Sequence, residues 1–144
     1  MLRRTLFTSA LAAGFGLAAG AKAAPLPRVV YHLSDAGRVA FVLGNIANHY
    51  EGMGGAAAVT IALVIHGPAL APFAKARAAE DDHAVETAFA ALKQSGLDAY
   101  ACIRTMHAMK LTLDDLLPGF KVAEKGGVVR LAELQGEGYA YLRP

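Results

Sequence analysis

A chain of 144 residues fits one domain, and 55% hydrophobic against 18% charged residues excludes intrinsic disorder. The formal charge is +2, with no Trp and, past residue 24, no run of lysines or arginines, which leaves no electrostatic footprint for a nucleic acid. A single cysteine excludes an intrachain disulfide.

The first 23 residues read as a signal peptide. Arg3 and Arg4 form a positive start, Leu6 to Ala21 is an uncharged, mostly apolar run of 16 residues, and Ala21-Lys22-Ala23 offers small residues for cleavage. The run is short for a membrane span of about 20 residues. The paired arginines also admit the twin-arginine route, without its full consensus flank. Cleavage after Ala23 removes Arg3, Arg4 and Lys22, so 14 basic against 12 acidic residues becomes 11 against 12 and the charge moves from +2 to −1. The expected mature protein is periplasmic, spans residues 24–144 as one domain, and has no membrane span.

Arg28 to Leu33 is a β-rich run, and Ser34 or Asp35 can cap the next element. Val39, Val42, Leu43, Ile46, Ala47 and Tyr50 recur at helical spacing, and Gly52, Gly54 and Gly55 stop that helix. Val59 to Ile65 is a continuous apolar run, the pattern of a strand buried on both faces of a parallel sheet. Pro68 suits a first helical turn, and Ala69 to Ala78 reads as a short helix. Asp81 or Asp82 is expected to cap a helix with Val85, Ala88, Phe89 and Leu92 as its stripe, ending at Gly96. Leu97 to Ile103 is a third strand and Arg104 to Met109 a short helix. Thr112 with Asp115 resembles a capping box starting Leu113 to Leu117. Phe120 to Ala123, Gly126 to Gln135 and Tyr139 to Leu142 complete the order as strand, helix and strand.

Alternating strands and helices predict a three-layer α/β/α sandwich on a mainly parallel sheet of about five strands, with an antiparallel edge strand left open. Ligand sites in such sheets lie outside the carboxyl ends of the strands. His32, His66 and Cys102 fall at three such ends. Cys102 also enters a helix start, where unpaired N–H groups favour a thiolate, and Arg104 and His107 are near in sequence. The competing reading of Cys102 is a half-buried structural residue. His32 and His66, read as tuning groups, make with Cys102 a set of metal-ligand types, but no local ligand pair supports a metal and none is expected. His49 and His83 are expected to be solvated. Gly52-Met53-Gly54-Gly55 and Gly126-Gly127 fit no nucleotide-binding pattern and read as a helix stop and a helix entry, so no cofactor is expected.

Several stretches resemble the DsrE/DsrF-like family: Arg28 to Asp35 with Val39 to Asn48 after it, Val64 to Leu70, Cys102 to Thr105, Leu113 to Phe120, and Leu131 to Pro144. The resemblance covers nearly all of the chain past the signal segment. It implies a small α/β/α domain that forms homo-oligomers, trimers or hexamers, and passes sulfur as a cysteine persulfide between partner proteins. Cys102 matches the family's cysteine position. Known relays of this kind are cytoplasmic, and the export signal departs from them, so the sulfur donor and acceptor proteins are not assigned. The alternative function is a non-enzymatic periplasmic binding or assembly module with a structural or metal-ligating cysteine.

Overall fold

The computed structural model describes residues 23–144. The signal segment expected over residues 1–23 lies, Ala23 apart, outside the described residues. The strands are β1 (Arg28–Leu33), β2 (Thr60–Ile65), β3 (Asp98–Cys102), β4 (Phe120–Ala123) and β5 (Ala140–Leu142). The helices are α1 (Val39–Gly52), α2 (Lys75–Glu80), α3 (Ala84–Gln94), α4 (Ile103–Met109) and α5 (Gly127–Gly136).

The five strands form one sheet in the order β4-β3-β2-β1-β5, and every pairing is parallel. The antiparallel edge left open by the sequence does not occur, because every connection between described strands carries a helix that returns the chain to the starting end of the sheet. The central strand is β2, and Ile61 to Ile65 are fully buried, as a continuous apolar run requires.

Side chains alternate across the sheet with period two. Val29, Tyr31, Leu33, Ile61, Leu63, Ile65, Ala99 and Ala101 join the larger core beneath α1, α3 and α4. Val30, Ala62, Val64, Tyr100 and Ala123 face the other way and pack with Leu131 and Leu134 of α5. The sandwich is therefore three layers with unequal coverings. The helices after β1, β2 and β3 cover one face, and α5 alone crosses the other on its way from β4 to β5.

Local capping signals are realised in part. Asp35 accepts an N–H bond from Gly37 at 2.8 Å and caps a 3-10 turn, Ala36–Arg38. The capping box of Thr112 and Asp115 forms, but it starts only a 3-10 turn, Leu113–Asp115. The helix expected over Ala69 to Ala78 is two pieces: a 3-10 helix, Gly67–Phe73, and then α2. Neither Asp81 nor Asp82 caps α3. Asp82 and His83 take left-handed backbone conformations in the tight turn after α2, and His83, at the cap position, makes no side-chain cap bond. The His83 ring pairs instead with Glu86 at 2.6 Å. His49 is half-buried and bonds the Tyr31 hydroxyl at 2.9 Å, so it is not simply solvated.

Candidate functional site around Cys102

The alternation that sends Val30, Val64 and Tyr100 toward α5 sends His32, His66 and Cys102 the same way, at or just past the carboxyl ends of three adjacent strands. The helix after β3 lies on one face of the sheet and the helix after β4 on the other. Such a reversal opens a crevice between neighbouring strands. Cys102 stands in it, as the last residue of β3 and the N-cap of α4.

Potential donors lie around the Cys102 side chain: Thr105 and Arg104 in the first turn of α4 and Gly127 at the start of α5, all lining one cavity with it. The Thr105 hydroxyl oxygen accepts the N–H of Gly67 at 2.9 Å, which fixes this side chain at the wall of the cavity. Burial raises the thiol pKa, but these donors outweigh it and lower the pKa below that of an ordinary cysteine. The sulfur lines a cavity of about 400 Å³ shared with His66, Arg104, Thr105, Lys125 and the Gly126-Gly127 pair. The residue itself is only 5% exposed, so access runs through that cavity.

Arg104 lines the cavity and lies against Gly126, and Lys125 is paired with Glu133 at 3.0 Å. His107 is exposed on α4 and is not among the residues that line the cavity.

His32 and His66 are bound to each other. Their Nε2 atoms are 2.6 Å apart, their rings stack at 4.7 Å, and His32 Nδ1 is 2.6 Å from the Tyr141 hydroxyl. Burial, then the charges of His66 and Arg143, push His32 down to about 4, and burial with Arg143 lowers His66. Both rings are therefore neutral near pH 7, one donating and one accepting. The two Nε2 atoms face each other, and His32 Nδ1 faces Tyr141. Among the described residues no group of three or more His, Cys, Asp or Glu side chains is placed to hold a metal ion. His66 lines the Cys102 cavity, while His32 lines a second cleft with Arg38, Arg143 and Pro144.

A family model described as the DsrE/DsrF-like family matches residues 29–144. The chain belongs to the DsrE/DsrF-like family. A solved structure of MTH1491 from Methanobacterium thermoautotrophicum, a protein of unknown function, is similar to it. The two share 28% identity with a TM-score of 0.69, over 82% of this chain and 99% of that one. No curated protein matches. The DsrE-like domain thus has the parallel five-stranded α/β/α architecture expected from sequence, and among the described residues no helix is long and apolar enough to cross a membrane.

Sequence reading named Cys102, His66 and Arg104, which line one cavity, and His32, which touches it through His66. It missed Thr105, Gly127 and Tyr141. Thr105 sits three residues after Cys102 in the first turn of α4 and was legible as a donor. Gly127 and Tyr141 reach the site from distant segments, and nothing local marks them.

Proposed function

We propose that this DsrE-like protein is a sulfur carrier in which Cys102 accepts a sulfane sulfur as a persulfide. The observation that carries the reading is the placement of Cys102 at the carboxyl end of β3, lining a cavity with Thr105, Arg104 and Gly127, whose donors favour a thiolate in spite of burial. Family membership supports a sulfur-relay role of this kind.

The step balances without an outside oxidant. The Cys102 thiolate attacks the outer sulfur of a donor persulfide, a new S–S bond forms at Sγ, the donor's S–S bond breaks, and its electron pair leaves on the donor thiolate. Onward transfer is the same exchange with an acceptor thiolate attacking the sulfur carried on Sγ. The donors that hold the thiolate also suit the persulfide anion, which carries its charge one atom further into the cavity. Arg104 at the cavity wall adds positive potential there.

Intact mass tests this directly. Incubation with a persulfide donor adds about 32 Da per sulfur atom, one sulfur mass on the oxidation ladder of cysteine. The adduct is expected on the wild type and absent from Cys102→Ser. A wild type that gains no mass under conditions that load a known carrier overturns the reading. The second reading, a binding or assembly module with a structural cysteine, draws on the 5% exposure of Cys102. Complete resistance of the native thiol to alkylation decides for it.

A further inference from the structure

We propose that Gly127 is a positioning residue of the Cys102 site, whose missing side chain lets the first turn of α5 close onto the sulfur and donate a backbone N–H to it. The inference rests on the reading of Cys102 as a working thiolate and adds the residue that makes the thiolate available. A Cβ built at Gly127 falls 3.2 Å from His66 Cβ and 3.3 Å from Cys102 Cβ, tighter than nine in ten real contacts of that kind. The two neighbours are rigid near-backbone atoms, so an alanine is accommodated only by a shift of the helix start away from both.

The approach is set up from two sides. Gly126 precedes it with φ +102, a conformation that residues with a side chain rarely adopt, and this turns the chain from β4 into α5 over the cavity. Further along α5, Leu131 and Leu134 are buried against the sheet. Arg130 lies 4.5 Å from the Tyr100 ring centroid and donates to the Tyr100 hydroxyl at 3.0 Å. With the body of the helix fixed, its first turn cannot retreat freely. A side chain at 127 then lengthens the N–H to sulfur bond and leaves the thiol to the burial that raises its pKa. The other titratable and charged groups facing the sulfur are His66 beyond β2, Arg104 on α4 and Lys125 in the turn before α5. None of them is altered by the substitution.

The test is alkylation of the intact protein by iodoacetamide against pH, which reads one residue because Cys102 is the single cysteine. In Gly127→Ala the inflection is expected to move to higher pH, with labelling below the wild-type inflection slowed about tenfold or more, as for loss of one hydrogen bond to a charged group. Gly44→Ala, at a helical glycine with open space beyond it, is the control and should leave the profile unchanged. A folded Gly127→Ala with the wild-type profile overturns the proposal. Should that variant not fold, the Gly127 amide resonance of the wild type decides. It is expected to move with the thiol inflection and to stop moving in Cys102→Ser, and an amide blind to that titration is equally fatal. A wild-type inflection at the value of a free cysteine overturns both this proposal and the thiolate reading beneath it. A shifted Gly127→Ala profile in a protein that never gains a persulfide overturns the carrier function alone.

Discussion

Two histidines that share a 2.6 Å contact, His32 buried and His66 half-buried, stay neutral at an energetic cost that depends on pH. His32 is 8% exposed, and its pKa falls from 6.5 in the unfolded chain to about 4 in the fold. Between those values the unfolded chain binds a proton that the folded one does not, so stability rises with pH through that window and is lost as pH falls from 6.5 toward 4. The full shift corresponds to about 3 kcal/mol at the acid end, with 1.36 kcal/mol per unit. His66, also lowered, adds to the same slope. Urea midpoints measured from pH 7 down to pH 4 should fall steadily in the wild type. In His32→Asn, which keeps a polar group of similar size but does not titrate, the fall should be clearly shallower. Parallel curves for the two proteins would show that the pair does not titrate as the buried geometry requires.

Among the elements, burial separates strands that hold the fold from surfaces that do not. On β2, Leu63 is fully enclosed between its neighbours, while Val128 at the start of α5 is 68% exposed. Truncating Leu63 to Ala leaves a hole between packed layers and should cost about 3 kcal/mol, in the usual range for buried leucines. Val128→Ser removes surface that already meets water and should change stability by less than about 0.5 kcal/mol. Chemical denaturation of the two variants checks the contrast, and equal losses would contradict the layer assignment. Local capping signals divide in a similar way. The capping box of Thr112 and Asp115 formed because both partners lie within one turn. The carboxylates of Asp81 and Asp82 did not cap α3, because the short turn between α2 and α3 forces Asp82 and His83 to positive φ.

Over the whole molecule, apolar side chains remain uncovered on several elements: Phe41 on α1, Val128 and Val129 on α5, and Tyr141 and Leu142 on the edge strand β5. A short exposed edge strand and scattered apolar groups are surfaces that association would bury. We propose a closed homo-oligomer of the exported form, in keeping with the family resemblance. One preparation tests both parts. Native protein recovered from the periplasmic fraction should begin near Ala24 and scatter light as a multiple of the monomer mass at micromolar concentration. A cytosolic protein beginning at Met1 refutes the export, and a monomer mass refutes the assembly.

The strands and the placement of Cys102 at a strand end were legible in the chain alone, since each rests on a run or period read within a few residues. A mainly parallel sheet followed from the alternation of strands and helices, but the sense of the edge strand was decided only by the tertiary pairing. Val59 to Ile65 announced a central strand because burial on both faces demands an unbroken apolar run. The site was legible only as far as that logic reaches. His32, His66 and Cys102 read from the sequence as strand-end residues; the adjacency of β1, β2 and β3 brings them to one edge, and period-two alternation puts all three on the α5 side. The groups that face them depend on long-range pairing. Gly127 reaches Cys102 because β4 pairs beside β3 and the chain then crosses to the opposite face. Tyr141 reaches His32 because β5 pairs with β1, at the far side of the sheet from β4. Strand order and register are set by the packing of segments distant in the chain, so the approach of Gly127 to Cys102 and the contacts that tie His32 to His66 and Tyr141 have no signature in any local stretch of sequence, whereas Arg104 and Thr105 follow Cys102 directly.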